Sequence, residues 1–301
     1  MTRTTKYLLL MLLTILAGTY FYITCCSECG ASKIEEPPKE TVVPVIPEPS
    51  SYPFAFNDGA YSYNENANYN FKASSSTIVM PLAAPMETSI ANLKNFLSEN
   101  EGKVVNITGF YKSDENNDSA YPNLGLARAN AVKNHLVTTG ISSASINTMG
   151  QLIDDMVPDK GIYLGPISYA ISGESETAGD ELKALYAKIK ADPLVLYFDT
   201  AEASINLSAE QRQKVADISR YLDKVEGLTV TIVGHTDNTG LAATNIKLGL
   251  NRADFAKAYF IRNGISETKI NTSSKGQTDP VESNATEEGK SKNRRTVVTL
   301  N

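Results

Sequence analysis

An aspartate on a tight loop and an arginine on the following helix carry the clearest chemistry in this sequence. Gly234-His235-Thr236-Asp237-Asn238-Thr239-Gly240 follows an apolar run, and Asn245 and Arg252 come after it, nearly two helical turns apart and so on one helix face. A carboxylate at position 237 can receive an ammonium group. A guanidinium at 252 can hold a carboxylate through two parallel hydrogen bonds, and the helix N-terminus adds free N–H groups and partial positive charge for the same anion. Gly234 and Gly240 let backbone amides come close to a ligand. A single ligand bearing both an amine and a carboxylate would satisfy the whole arrangement. From spacing alone, an ion pair that merely closes the loop accounts for the same two residues, and that alternative stays open.

The neighbouring residues say less. Thr236 and Asn238 are turn formers that can also touch a ligand. His235, with no cysteine and no second histidine nearby, reads as a loop brace and not a metal ligand. Asn293-Arg294-Arg295 is a short basic cluster opening a strand, and 276–280 reads as a turn. A phosphate-binding glycine loop and a G-x-S-x-G elbow are both missing, and the two histidines, His135 and His235, are far apart in sequence. The expectation is a binder and not an enzyme, with no cofactor and no metal. A net charge of -6, with basic residues scattered among acids, leaves no footprint for nucleic acid.

Alternating strand and helix signals surround these residues. In the second part of the chain, strands are expected at 194–198, 228–233, 269–273 and 296–300. One helix opens on a Ser208/Gln211 capping box and runs to about 225, and another spans about 241–263 and ends at Gly264. The order β, α, β, α, β, β predicts an α/β sandwich, with helices packed on a mixed sheet. Laying 124–148 on 248–272 gives 12 identities in 25 positions, among them Arg128 on Arg252. A tandem pair of domain-sized units is therefore expected. In the first unit the scheme places a strand at 77–80, a helix at 88–99, a strand at 104–108, a helix at 124–139 ending at Gly140, and a strand at 167–171. A helix at about 180–190 bridges the two units.

With these motifs in view, residues 195–300 resemble the OmpA-like peptidoglycan-binding domain, whose pattern is G-H-T-D-x-x-G, a helix carrying N and R-A, and a closing N-R-R. The resemblance implies that Asp237 and Arg252 grip diaminopimelate in the peptidoglycan stem peptide. It further implies that Asn245, Thr236 and Asn238 contribute to binding, with Gly234, His235, Gly240, Asn293, Arg294 and Arg295 in support. Gly249 stands where the family usually has serine, and is expected to loosen the helix at a cost of about 1 kcal/mol. The first unit keeps Leu124-Gly125-Leu126-Ala127-Arg128-Ala129 but lacks G-H-T-D and N-R-R, with Asp114 and Glu115 the acids nearest the lost position. It is expected to be a degenerate copy serving packing or contact with an envelope protein.

Residues 7–27 are uncharged and long enough to cross a hydrocarbon core of about 30 Å as a helix. Arg3 and Lys6 before them, and an excess of acids after, place the N-terminus in the cytoplasm and the body in the periplasm, with the inner membrane favoured over the outer. A cleaved signal or a lipidated cysteine is the competing reading of this segment, and all three cysteines, Cys25, Cys26 and Cys29, sit just behind the apolar run. The expected organisation is an anchor at 1–27, a proline-rich spacer at 28–60, the degenerate unit at 61–175, a helical connector at 176–193 and the binding unit at 194–301. The function expected is tethering of the envelope to the cell wall; the alternative is a stator-like interaction module without wall affinity.

Overall fold

The computed structural model describes residues 2–26 and 47–301. Helix α1 (Arg3–Phe21) continues into a π-helical turn, Tyr22–Cys26. Among the described residues Arg3–Cys25 is the one helix long and apolar enough to cross a membrane. At 1.5 Å per residue its 23 residues reach about 34 Å, enough to cross a hydrocarbon core of about 30 Å. Cys29 and the spacer from 28 to 46 lie outside the described residues.

Residues Glu48–Asn301 form one compact body. The expected spacer therefore ends earlier than position 60. Strand β1 (Phe54–Asn57) pairs antiparallel with β2 (Ser62–Glu65), and Phe54 and Phe56 are buried in the core. Alternate aromatics on a short strand gain more from burial than the prolines upstream suggest.

The first unit continues with β3 (Phe71–Lys72), α2 (Pro85–Glu99), β4 (Lys103–Tyr111), α3 (Leu124–Thr138), β5 (Ile146–Leu152), β6 (Ile162–Tyr163) and β7 (Ile167–Gly173). Its sheet has the order β5-β4-β7, with β4 parallel to β5 and antiparallel to β7. Helices α2 and α3 supply Leu93, Val132 and Leu136 to a core shared with Val105, Ile107 and Ile167. No strand forms at 77–80, where Ile78 makes only an isolated bridge to Phe71. The chain instead meets β7 about ten residues upstream, where buried Asn68 donates its amide to the Ile167 carbonyl at 3.0 Å and accepts from the Tyr169 hydroxyl at 2.9 Å. Polar side chains standing in for ladder hydrogen bonds hide this segment from any apolar pattern.

After the bridging helix α4 (Ala178–Ala191), the second unit runs β8 (Leu194–Tyr197), α5 (Ala209–Lys224), β9 (Val230–His235), α6 (Ala242–Arg262), β10 (Ile270–Gly276), α7 (Glu287–Asn293) and β11 (Arg295–Leu300). The sheet order is β10-β9-β11-β8, with β9 parallel to β10 and antiparallel to β11. Both units thus build a mixed α/β layer around the same central strand arrangement. The Ser208/Gln211 capping box forms as expected, and Gly140 and Gly264 follow their helices with φ of 94° and 88°. Helix α7 has no counterpart in the sequence reading: Asn293 is its last residue, so only Arg295 of the basic cluster opens the strand.

The units share a buried seam. Lys133 reaches Asp223 at 2.5 Å, the Tyr121 hydroxyl donates to the Asn263 carbonyl at 2.8 Å, and Arg212 donates to the carbonyls of Asn117 and Ser119.

Candidate functional site

Strand β9 delivers the loop and α6 delivers the arginine, and glycines set how closely they pass. A Cβ on Gly234 would stand 1.8 Å from the Gly249 carbonyl oxygen, and one on Gly249 would stand 2.3 Å from Ser274 Oγ. Gly249 is therefore the close-approach point of an unbroken helix, not the loosening expected of it.

Beyond His235 the loop is braced from inside. The Thr236 N–H donates to the Gly276 carbonyl at 2.9 Å, and its hydroxyl to the Asp237 carbonyl at 2.8 Å. Asn245, 3% exposed, donates its amide to the carbonyls of Asp237 at 3.3 Å and Thr239 at 3.1 Å and to Gln277 Oε1 at 2.6 Å. Asn238 and Gly240 are exposed at the rim.

The Asp237 carboxylate accepts from the Thr239 N–H at 2.9 Å through Oδ1 and from Arg294 Nη1 at 2.9 Å through Oδ2. Burial pushes this carboxyl up, but the Thr239 and Arg294 hydrogen bonds outweigh it and hold the group below its ordinary value. Its ion-pair partner is thus Arg294 and not Arg252. Within the basic cluster the three side chains divide their tasks. Asn293 ties down the 281–284 segment, Arg295 donates to the Asp279 carbonyl at 3.1 Å, and Arg294 alone reaches the loop aspartate.

Arg252 is fully buried in a cage of carbonyls. Nε donates to Glu202 at 2.8 Å, Nη1 to His235 at 3.0 Å and Nη2 to Asp199 at 3.1 Å, and the Phe198 ring lies 5.2 Å from the guanidinium carbon. Burial brings its pKa down to about 10, so it stays cationic at neutral pH. His235 lies on the opposite sheet face beside Arg295; burial first, then the Arg295 charge, lowers it to about 4 and keeps it neutral. Among the described residues no cluster of histidine, cysteine or carboxylates could hold a metal. A cleft of about 670 Å³ opens beside the cage, walled by Phe198, Asp199, Glu202, Ser291, Lys292 and Arg294. The strap 198–202 escaped the sequence reading, since a backbone carbonyl leaves no residue-type signature, and Gln277, read only as part of a turn, accepts from Asn245 through its side chain.

The OmpA family model matches residues 197–294, a span that contains the loop, the arginine helix and the basic cluster. Residues 197–294 are an OmpA family domain. Outer membrane protein A of Bordetella avium is 35% identical over 104 residues, covering 35% of this chain and 53% of that protein. The peptidoglycan-binding protein ArfA of Mycobacterium tuberculosis is 27% identical over 226 residues, covering 73% of this chain and 58% of the relative. The chain thus spans little more than half the length of these relatives. Among solved structures, the peptidoglycan-associated lipoprotein of Burkholderia pseudomallei aligns at 23% identity over 37% of this chain and 92% of its own, with a TM-score of 0.34.

The OmpA domain's arginine cage recurs in the first unit. Arg128 Nε donates to the Ser75 carbonyl at 3.1 Å, Nη1 to Phe110 at 2.8 Å and Nη2 to Lys72 at 3.4 Å, with the Phe71 ring 5.6 Å from the guanidinium carbon. Each contact has its counterpart at Arg252: Glu202, His235, Asp199 and Phe198. The straps match in backbone too, for Ser74 and Ala201 both adopt the left-handed region, at φ 55° and 62°. In the first unit Glu115 adds a carboxylate, 2.5 Å from Arg128 Nη2 and 3.0 Å from Nη1. Asp114, the other acid near the lost loop position, is exposed beside Lys112.

Proposed function

We propose that residues 194–301 bind peptidoglycan noncovalently through the diaminopimelate of its stem peptide, in a chain held to a membrane by its N-terminal helix with the body in the periplasm. The first unit is read as a second, altered copy of the same domain. One observation carries the site assignment. An arginine has five N–H donors, and among the described residues Arg252 gives three to carbonyls while its remaining Nη1 and Nη2 hydrogens have no protein acceptor. The backbone N–H groups of Ala201 and Asp237 likewise meet no acceptor. These four donors correspond to those that hold a carboxylate in the first unit.

In this reading the stem-peptide carboxylate sits on the Arg252 fork and the two amides, and the ammonium goes to Asp237, which it shares with Arg294. Two charges fixed at a set separation select a ligand carrying both groups. Thr236 and Asn245 hold the loop in shape, and Asn238 touches the ligand from the rim. Gly234, His235, Gly240, Asn293 and Arg295 support the frame. The activity is binding and not turnover, in keeping with relatives named for the outer membrane and for peptidoglycan binding.

The test is co-sedimentation of the full-length protein, in detergent, with purified sacculi. Wild type should pellet and be released by free diaminopimelate, and Asp237→Asn and Arg252→Lys should each bind at least about tenfold more weakly, since a single ammonium cannot reproduce the planar fork. Folded variants that bind like wild type would show the site to be misassigned. A wild type that stays in the supernatant would favour a protein-interaction module.

A further inference from the structure

In the first unit the arginine fork already has its carboxylate, and the chain itself supplies it. Glu115 Oε1 accepts from the Ser74 N–H at 2.9 Å and from Arg128 Nη2 at 2.5 Å; Oε2 accepts from the Lys112 N–H at 2.9 Å and from Arg128 Nη1 at 3.0 Å. Two backbone amides and a two-point guanidinium fork make a complete receptor for a carboxylate. The two side chains are 0% and 3% exposed, and the rings of Phe71 and Tyr163 lie 5.6 and 5.3 Å from the guanidinium carbon, so water is kept out.

Donors and acceptor differ in how they are held. Arg128 is fixed on α3 and caged by three carbonyls, Lys112 directly follows β4, and Ser74 sits in the strap. Glu115 belongs to the irregular segment between β4 and α3. The receptor is thus built by the scaffold, while its occupant hangs from a loop.

We propose that the first unit is a carboxylate receptor plugged by Glu115, an internal ligand that closes this unit's arginine fork to outside carboxylates. Without the plug, the same four donors take a small external carboxylate. This rests on the first unit alone and does not depend on the wall-binding reading of the second.

Chemical rescue tests it. Alanine at 115 lacks Cγ, Cδ and both carboxylate oxygens, which together have the heavy-atom skeleton of acetate. Full-length Glu115→Ala, in detergent at pH 7 and constant ionic strength, should rise in melting temperature as acetate replaces chloride. The rise should saturate, and reach about 3 °C or more beyond any shift seen in wild type. A Glu115→Ala/Arg128→Met double variant, which lacks the receptor, should show no such rise. If Glu115→Ala does not stay folded alone, the folded fraction after refolding in acetate against chloride is the readout, and acetate should raise it. An acetate response no larger than that of wild type, or one that persists in the double variant, overturns the proposal.

Discussion

Arg128 and Arg252 sit in the same cage on the same helix of two similar units, and differ in what completes them. Three backbone carbonyls and one phenylalanine ring hold each guanidinium, to within a few tenths of an ångström of the same geometry. Arg128 also takes a buried carboxylate from Glu115, whereas Asp237, on the loop after β9, pairs with Arg294. The arginine and its cage are therefore scaffold. What differs is the loop: one supplies its own acid to the fork, and the other sends its acid to a different arginine and leaves the fork without a protein carboxylate.

The comparison can be broken most forcefully at the arginines. Arg128→Met should leave the Glu115 carboxylate buried and unpaired, at a cost of about 3–5 kcal/mol. Arg252→Met strands only neutral carbonyls and should cost less; urea unfolding of the two full-length variants measures the difference, and equal losses would erase the distinction. Wall binding should run the other way. Arg252→Lys and Asp237→Asn should weaken sacculus binding on the order of ten- to a hundredfold, or about 1.4–3 kcal/mol, while Glu115→Gln leaves it unchanged.

Glycine packing tests whether the two scaffolds are equivalent. A Cβ on Gly109 would stand 2.0 Å from the Gly125 carbonyl oxygen, as one on Gly234 would stand 1.8 Å from that of Gly249. Gly109→Ala and Gly234→Ala should each destabilise by about 1–3 kcal/mol through overpacking. Only the second should also weaken wall binding, because it shifts the Asp237 loop against Arg252.

The smallest expected effect is the pH dependence that His235 contributes in the second unit. His235 has a folded value of about 4, below its ordinary 6.5, so the unfolded chain binds the proton first as the medium acidifies. Its contribution is complete above about pH 6.5 and is lost as pH falls toward 4. Asp237, held below its ordinary 3.8, loses its contribution only at still lower pH. Thermal melts of wild type and His235→Gln between pH 4 and 7 should converge at the acid end; parallel curves would refute the assignment. All these comparisons belong in the whole chain, since the Lys133–Asp223 and Tyr121–Asn263 contacts tie the two units together.

Much of this protein can be read from residue order alone, wherever side-chain type fixes the local outcome. The uncharged run sets a membrane-length helix, the Ser208/Gln211 pair sets a helix start, Gly140 and Gly264 set helix ends, and the 12 matches in 25 positions join Arg128 to Arg252. The motif around Asp237 pointed to the domain whose family model covers 197–294. Other features came only with the tertiary structure. Nothing in the sequence shows that Asp237 pairs with Arg294, that Gly249 is a contact point, or that Asn68 ties the stretch before Phe71 to β7. Nor could residue types choose between Asp114 and Glu115, which are adjacent and chemically alike. The difference lies in direction: one carboxylate faces water, and the other turns inward, where two backbone amides and an arginine compensate its lost hydration.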